Sequence, residues 1–333
     1  MSVTHTASRR RAIKTLFFSS AAMALNLQTG TARAEIGKNG LNFLAIGDFG
    51  TGSTDQKAVA KAMQDFATKN NLTTDGLLMI GDNFYSAVKG GFTVDSDRWR
   101  TDIEEMYPAT VFPGPFYPVL GNHDYHDNDG GEKTQLNYAK KPGVRWTFPA
   151  KWYRVDLGGP NPLLTLICLD SNLPAVSGGS NKKPLASMTA GEEAAQLEWF
   201  KSELAKPRAP FTLVMGHHPV YSNGDHGDTK KLVTDWEPLL QKHQVHAYLC
   251  GHDHDLQHLE LEGKFTSYIL SGGGGAATRK LKTPSRKMPY GKDVHGFTHL
   301  QVQPDTLTIT HYGVSGEVLH RFTKQPNGKM ELG

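Results

Sequence analysis

The sequence has few cysteines and no long apolar segment beyond its first residues. Only two cysteines, Cys168 and Cys250, occur in 333 residues. Both lie in apolar, strand-like runs, so we expect two buried thiols rather than a disulfide or a metal-thiolate site. After residue 34, no apolar run approaches the roughly 18 residues that a membrane-spanning helix needs. We therefore expect no stable membrane insertion of the mature chain.

An excess of charge of one sign is also missing. The formal net charge is +3, and five basic residues within the first 34 residues, with no acidic residue among them, account for that excess. Without those five the formal charge becomes −2, which gives no general electrostatic attraction to nucleic acid. The stretch Gly272–Gly275 lacks the Lys-Ser/Thr of a nucleotide-binding P-loop, so we expect a flexible connection there.

The first 34 residues have the composition of an export signal. Basic residues at Arg9–Arg11 precede an apolar stretch near Leu16–Leu27, and Ala32–Ala34 matches a cleavage signal. The basic residues and their neighbours also resemble the twin-arginine export signal of bacteria. We expect a cleaved signal at 1–34, a single domain at 35–333 and a periplasmic or secreted location. An ordinary secretory signal is the alternative.

Five short apolar runs each lead through glycine to a residue type that binds metals. Each run is too short for a helix and reads as a buried strand. If such strands share one sheet, their carboxyl ends open into one crevice, and the glycine lets the backbone turn sharply there. The runs are Phe43–Ile46, Leu77–Ile80, Pro118–Leu120, Phe211–Val214 and Ala247–Cys250. The metal-binding residues after the glycines are Asp48, Asp82, Asn122, His217, and His252 with His254.

Strand and helix patterns alternate as far as Gly251, and strand patterns follow it. A capping box at Thr189 begins one of the helices. The predicted helices are Asp55–Lys69, Asp97–Met106, Thr189 to about Lys206, and Asp228–Lys242. The later predicted strands are Phe265–Leu270, Phe297–Gln303, Leu307–His311 and Val318–Phe322. Together these patterns favour a single α/β domain of two packed sheets with helices outside, a four-layer α-β-β-α sandwich.

Tyr85, three residues after Asp82, completes a set of seven side chains that can be proposed for a two-metal site. The set resembles that of the purple acid phosphatases, of the small tartrate-resistant type, within the calcineurin-like metallophosphoesterase superfamily. The resemblance covers Leu41 to about Phe322. The motifs that carry it are Gly47-Asp48-Phe49-Gly50, Gly81-Asp82-Asn83-Phe84-Tyr85, Gly121-Asn122-His123-Asp124, Val214-Met215-Gly216-His217 and Gly251-His252-Asp253-His254.

The resemblance implies a dinuclear centre. One metal would be bound by Asp48, Asp82, Tyr85 and His254, the other by Asp82, Asn122, His217 and His252, with Asp82 as the bridge. The anionic oxygens of the first set suit Fe(III), and the imidazoles and amide of the second suit a divalent ion such as Zn, Fe or Mn.

The implied reaction is that of an exported acid phosphatase, a metal-dependent phosphoric monoester hydrolase. A metal-bound hydroxide would attack small phosphomonoesters, with phosphoproteins left open as a second class of substrate. The resemblance also implies that His123 and His226 lie beside the phosphate as catalytic residues.

Two alternatives remain open at this stage. One is a phosphodiesterase or nucleotide-cleaving enzyme of the wider superfamily, and the other is a non-hydrolytic iron- or phosphate-binding protein. The sequence also leaves open the physiological substrate, the divalent metal, the oligomeric state and any peroxidative activity.

Several other residues carry weaker expectations. His218 either orients His217, lines the pocket or has a plain structural role. The Ser171–Ser187 loop is a possible gate. The basic Ala276–His295 loop is expected to be a solvated face, or else to attract anionic substrates. We expect exposed loop histidines without a role at His126, His258 and His295.

Overall fold

Two sheets and the helices that cover them form the described part of this computed structural model, residues 40–180, 182–282 and 286–333. The predicted export signal lies outside these residues. The strands are β1 (Leu41–Ile46), β2 (Gly76–Ile80), β3 (Phe116–Val119), β4 (Tyr153–Leu157), β5 (Leu164–Cys168), β6 (Gly179–Ser180), β7 (Lys183–Pro184), β8 (Phe211–Met215), β9 (Ala247–Cys250), β10 (Leu256–Leu259), β11 (Ser267–Ser271), β12 (Tyr290–Lys292), β13 (Gly296–Val302), β14 (Leu307–Gly313), β15 (Val318–Lys324) and β16 (Met330–Leu332). The helices are α1 (Thr54–Lys69), α2 (Asn122–His126), α3 (Gly131–Tyr138), α4 (Pro174–Ser177), α5 (Ala190–Ala205), α6 (Lys230–Asp235) and α7 (Glu237–Lys242), with a π-helical turn at Trp99–Glu104.

The five strands that precede the proposed metal ligands are divided between two seven-stranded sheets. They are β1, β2 and β3 in the first sheet and β8 and β9 in the second. The first sheet has the order β16-β15-β14-β13-β1-β2-β3, in which β1, β2 and β3 are parallel. The second has the order β12-β10-β11-β9-β8-β5-β4, in which β5, β8, β9 and β11 are parallel. The condition that all five motif strands share one sheet is therefore wrong. The prediction of two packed sheets is confirmed.

Alternation of side chains along the second sheet explains the layered packing. On β8, Leu213 and Met215 belong to the core shared with the first sheet, whereas Val214 belongs to a second core. That second core also contains Phe200 of α5 and Trp236 beside α6 and α7. Because neighbouring residues of a strand point to opposite faces, one strand serves both the sheet-sheet and the sheet-helix layer.

Helix boundaries follow their local chemistry. Ser53 caps α1 by accepting from the Gln56 N–H, and the predicted capping box at Thr189 is present with Glu192 as its partner. The predicted helix Asp228–Lys242 is divided into α6 and α7. Pro238 lies in the first turn of α7, and because proline has no N–H, it cannot continue a helix that began earlier.

Two further expectations, one about a helix and one about the cysteines, have different outcomes. The prediction at Asp97–Met106 is realised as a π-helical turn at Trp99–Glu104 rather than as a regular α-helix. Cys168 and Cys250 are free and buried, as predicted. In the described parts of the chain, we find no helix with the length and apolar character that crossing a bilayer demands.

Candidate metal centre

Three of the proposed ligand residues have a backbone conformation that residues other than glycine rarely adopt. The φ angles are 57° at Asp48, 51° at Asp82 and 68° at His252. Each follows a glycine, and a Cβ on Gly251 would lie 2.3 Å from the Asp48 carboxylate. Left-handed backbone outside glycine persists only where its surroundings hold it, and it clusters at functional sites. Gly251 is therefore required for close approach of the chain, and Gly81, whose φ is 82°, also for its backbone conformation.

Four polar side chains meet at the ends of β1, β2 and β9. The Tyr85 hydroxyl lies 2.9 Å from Asp82 Oδ2, 3.2 Å from Asp48 Oδ1 and 3.3 Å from His254 Nε2. Potential ligand atoms of Asp48, Asp82 and His254 all lie within 4.8 Å of one another, and the three residues are buried. This half of the site therefore contains the two carboxylates, the phenol and the imidazole that the sequence assigned to one metal.

The other half is joined to the first through Asp82. His217 Nε2 lies 3.3 Å from Asp82 Oδ2 and 3.3 Å from Asn122 Oδ1. Asp82 Oδ2 thus lies between Tyr85 and His217, where one carboxylate could serve two ions. The ring of His252 packs against that of His217, with ring centroids 5.2 Å apart.

Two of the histidines are held so that one ring nitrogen faces the carboxylates. His217 Nδ1 donates to the Ile80 carbonyl at 2.9 Å, and His254 Nδ1 donates to the Ala277 carbonyl at 2.8 Å. Such bonds fix the tautomer and leave Nε2 as the ligand atom. Donor atoms that each lie about 2.1 Å from one ion are roughly 3 Å apart at adjacent corners of its coordination shell. The donor spacings of this cluster fit metal ions.

Burial shapes the charges of the cluster. It raises the pKa of the Asp48 carboxyl and that of the Tyr85 phenol well above their usual ranges. Burial alone would raise the pKa of Asp82, but charge attraction and hydrogen bonding from His217 and His123 together outweigh burial, and the pKa of Asp82 is lowered. Burial alone would lower the pKa of His217, but Asp82 and Asp48 together outweigh burial and raise that pKa to about 10. The protein environment alone therefore favours the neutral forms of Asp48 and Tyr85, and a bound cation would favour their anionic forms.

His252 and His254 respond to burial in the opposite direction from His217. Burial lowers the pKa of His252 well below its usual range and that of His254 to about 4. Both rings are thus held in the neutral form, which is the form that donates a lone pair to a metal.

The two proposed catalytic histidines are each fixed by a carboxylate. His123 Nδ1 donates to Asp127 Oδ2 at 2.9 Å, and His226 Nδ1 donates to Asp253 Oδ1 at 2.8 Å. Their side chains are 33% and 39% exposed. Since Nδ1 is committed in each ring, only Nε2 can exchange a proton with a bound molecule.

These histidines pack against proposed ligands from different halves of the cluster. The His123 ring packs against Tyr85 with centroids 4.3 Å apart, and the His226 ring packs against His252 at 4.1 Å. The backbone N–H of His123 also donates to Asp82 Oδ1 at 2.8 Å.

Three carboxylates that support the site were not identified from the sequence. Besides Asp127 and Asp253, the buried Asp124 accepts from the Gly121 and Phe84 N–H groups at 2.8 and 3.1 Å and so ties two motifs together. Burial raises the pKa of Asp124 to about 7. Asp124 and Asp253 stand within the quoted motifs, and Asp127 lies four residues after His123 on the same helical turn. The signal that could have identified Asp124 and Asp253 was their position within the motifs, and for Asp127 it was the spacing of four residues from His123.

The expectations for the remaining histidines need correction. His258 lies on β10 and is fully buried, and His126 and His295 are partly buried rather than exposed. His218 is buried, with Nδ1 2.8 Å from Ser171 Oγ and its ring 4.4 Å from that of His252. It therefore packs beside the cluster and supports a proposed ligand.

The described parts of the two long loops contain regular secondary structure, and the glycine stretch is buried. The Ser171–Ser187 segment contains α4 and the β6–β7 hairpin, and Ala276–His295 contains β12. Gly272–Gly275 is buried rather than a flexible connection, because Gly272 and Gly274 donate to the carbonyls of Asp255 and Gly47.

Comparison with known proteins identifies the family of the chain. The family model for calcineurin-like phosphoesterases matches residues 41–256. The chain is 31% identical over 299 residues to tartrate-resistant acid phosphatase type 5 of Mus musculus, covering 84% of this chain and 89% of that protein. It is also 31% identical to purple acid phosphatase 7 of Arabidopsis thaliana, over 84% of this chain and 85% of the other.

Solved structures show the same fold. GAP50, described as the anchor in the inner membrane complex of Plasmodium, superposes with a TM-score of 0.71 at 23% identity, covering 84% of this chain and 87% of that one. A purple acid phosphatase from seeds of yellow lupin, Lupinus luteus, gives a TM-score of 0.61 at 17% identity, covering 86% and 53%. Given the sequence relationship to the acid phosphatases across most of both chains, this protein belongs to the calcineurin-like phosphoesterase family, among the purple acid phosphatases of the tartrate-resistant type.

Proposed function

We propose that this protein is an exported acid phosphatase that hydrolyses phosphomonoesters at a dinuclear centre of Fe(III) and a divalent metal. The observation that carries the proposal is the position of Tyr85. Its hydroxyl contacts Asp48, Asp82 and His254 at once, so a phenolate there would complete an oxygen-rich set suited to a trivalent ion.

The two halves of the site would hold different ions. Asp48, Asp82, Tyr85 and His254 offer three anionic oxygens and one imidazole, which suit Fe(III). Asn122, His217 and His252 share Asp82 with that set and offer mainly neutral donors, which suit Zn, Fe or Mn in the divalent state. When bound, such ions would supply Lewis-acid polarisation of the phosphate and lower the pKa of a coordinated water. A trivalent ion would lower that pKa further, which is the physical basis for an acidic optimum.

Protein groups on the two sides of the cluster would handle protons and position the phosphate. His123 and His226 each present Nε2 because a carboxylate holds Nδ1. Either ring could donate a proton to the leaving oxygen or stabilise negative charge on the phosphoryl oxygens. In the overall reaction an oxygen from water joins phosphorus, the phosphorus–oxygen bond to the leaving group breaks, and the leaving oxygen receives a proton.

Export remains part of the proposal on sequence grounds. The basic residues, apolar stretch and cleavage signal within residues 1–34 support transport out of the cytoplasm. Twin-arginine transport carries folded proteins, which suits an enzyme that acquires its ions before it crosses the membrane.

The proposal is tested with the purified protein by its metal content, its visible spectrum and its activity on two substrates. We expect iron, a purple or pink charge-transfer band from the phenolate, and faster hydrolysis of p-nitrophenyl phosphate than of bis(p-nitrophenyl) phosphate. A colourless, iron-free protein that cleaves the diester faster would contradict the proposal and indicate a phosphodiesterase. A metal-loaded protein without hydrolysis of either ester would indicate a binding protein instead.

A further inference from the structure

A basic side chain outside the proposed ligand set is fixed at the mouth of the cluster. Arg279 follows a segment whose backbone is tied to two of the ligands. The Ala276 N–H donates to the Asp48 carbonyl at 2.8 Å, His254 Nδ1 donates to the Ala277 carbonyl at 2.8 Å, and the Arg279 N–H donates to the His254 carbonyl at 3.2 Å. The position of Arg279 relative to the cluster is therefore set by the same backbone that positions the ligands.

The guanidinium group lies between the two histidines on one side of the cluster. Arg279 Nη1 donates to the His252 carbonyl at 3.1 Å and lies 3.2 and 3.5 Å from the two ring nitrogens of His226. His226 Nδ1 is already bonded to Asp253, and a guanidinium has five N–H donors and no acceptor. The group therefore packs beside the imidazole and keeps donors for a further anion.

No carboxylate among the described residues lies within ion-pair distance of Arg279. Arg286, farther along the same segment, forms an ion pair with Asp228, whereas none of the ion pairs found in the described parts of the chain includes Arg279. The side chain is half-buried. A fixed cation with unused donors and partial shielding from water attracts anions more strongly than a mobile surface lysine does.

Basic side chains are distributed unevenly around the two proposed catalytic histidines. The other proposed catalytic histidine, His123, packs against Tyr85 and is held by Asp127. Among the described residues, no arginine or lysine forms a hydrogen bond or an ion pair with the His123 ring. The additional positive charge is therefore confined to the side on which His226 presents Nε2.

We propose that Arg279 determines specificity by binding a second anionic group carried by the substrate next to the leaving oxygen. This inference rests on the proposed phosphatase function, and it places the leaving group on the side of the cluster where His226 and Arg279 lie. The preferred substrates are phosphate anhydrides or phosphomonoesters with a phosphate or carboxylate close to the scissile bond. The phosphorus–oxygen bond breaks as in any other phosphomonoester, the leaving oxygen takes a proton, and Arg279 holds the charge of the departing anion.

The test compares kcat/KM of the metal-loaded enzyme for three substrates. Pyrophosphate carries a second phosphate, phosphoglycolate carries a carboxylate, and p-nitrophenyl phosphate carries no second anion. Each anionic substrate is expressed as a ratio to p-nitrophenyl phosphate measured on the same preparation. Incomplete metal loading lowers both rates alike and leaves the ratio unaffected.

Arg279→Gln should lower one or both ratios about tenfold to a hundredfold, as expected for the loss of a charge-assisted hydrogen bond. Arg279→Lys should retain an intermediate ratio, because lysine keeps the positive charge but lacks the paired N–H donors of the guanidinium group. The matched control is Lys280→Gln, which removes the same charge from an exposed neighbouring residue and should change neither ratio by more than about twofold, since exposed charges are screened.

The outcomes separate this inference from the proposed function. If Arg279→Gln lowers the ratio for pyrophosphate alone, the site binds a second phosphate. If it lowers the ratios for both pyrophosphate and phosphoglycolate, the site binds anions in general. Ratios unchanged in Arg279→Gln, or equally lowered in Lys280→Gln, would overturn the role of Arg279 while leaving the phosphatase assignment intact. Absence of hydrolysis of all three substrates by the wild-type enzyme would instead contradict the proposed function.

Discussion

Histidines occur in two clusters of this molecule, and the partners of their ring nitrogens differ. In the cleft, His217 and His254 each donate one nitrogen to a backbone carbonyl and direct the other toward carboxylates. In the interior, His311 bonds Thr298 Oγ1 at 2.9 Å through Nδ1 and the Gln257 carbonyl at 3.2 Å through Nε2. A ring with both nitrogens engaged by hydrogen-bonding groups is structural, whereas a ring with one nitrogen fixed and one facing anions is prepared for a cation.

The interior cluster joins the two sheets. His258 of β10 lies 2.9 Å from His320 of β15, and Lys324 of β15 donates to Ser267 of β11 at 2.8 Å. These polar groups cross between sheets and are satisfied there, so their role is in stability. The comparison therefore predicts that cleft variants change metal binding and activity, and that interior variants change stability.

Asp82→Asn should have the largest effect. Asp82 accepts from Tyr85 and His123 and contacts His217, so both halves of the cluster lose their shared carboxylate. We expect kcat/KM to fall by about 10³-fold or more, because bound ions supply several kcal/mol of transition-state stabilisation. Metal analysis should show the loss of at least one ion, with the far-ultraviolet circular dichroism retained. Full metal content and activity would contradict the bridging role.

Asp253→Asn should have the next largest effect. The Asp253 carboxylate holds His226 through its backbone N–H and its Nδ1 at 2.9 and 2.8 Å. We expect kcat to fall about ten- to a hundredfold with metal content retained, as for other supporting carboxylates. A double-mutant cycle with His226→Asn is the decisive measurement. If Asp253 acts through His226, the double variant loses no more activity than His226→Asn alone, and additive losses would refute this.

Interior histidines should make the protein less stable in acid. Burial lowers the pKa of His311 to about 3 and that of His320 to about 4, below the value of about 6.5 in an unfolded chain. The folded state therefore binds fewer protons than the unfolded state at these histidines. Their contribution to the stability of the fold is fully present above about pH 6.5 and is lost as the pH falls toward 3. Each such histidine lowers the free energy of unfolding by up to about 1.4 kcal/mol per pH unit in that window.

His311→Gln sharpens this difference between the clusters. The variant should lower the free energy of unfolding by about 1–3 kcal/mol at pH 7.5, because buried hydrogen bonds are lost. The decline in stability from pH 6.5 to pH 4 should become shallower, because one buried histidine no longer titrates. Urea unfolding across this pH range measures both changes. If His311→Gln changed the metal content and left the stability unaltered, it would contradict the assignment of a stabilising role to the interior histidines.

Tyr85→Phe should have the smallest effect on turnover and a complete effect on colour. Removal of the hydroxyl eliminates the phenolate that would bind Fe(III), while Asp48, Asp82 and His254 remain as donors. We expect the visible charge-transfer band to vanish and kcat to change by roughly tenfold or less, about the contribution of one hydrogen bond. A variant that keeps the band would show that Tyr85 is not the chromophore.

The sequence alone predicted the strand–glycine–ligand pattern because this pattern is local. A short buried strand, a glycine and an adjacent metal-binding side chain are encoded within a few residues, as at Gly47-Asp48 and Gly81-Asp82. The helix cap at Thr189 and the burial of Cys168 were predicted for the same reason. Such features depend on neighbouring residues and on hydrophobic pattern.

Only the tertiary structure decided which distant residues support these local features. Division of the motif strands between two sheets, burial of His258 and the contacts of Asp253 with His226 depend on packing between segments far apart in the chain. Arg279 appears in the sequence as one basic residue of a basic loop, and its place beside His226 follows from backbone hydrogen bonds to the ligand residues. The sequence alone determined which side chains could bind metals. The fold determined their partners, because hydrogen bonding and burial depend on proximity in space rather than in sequence.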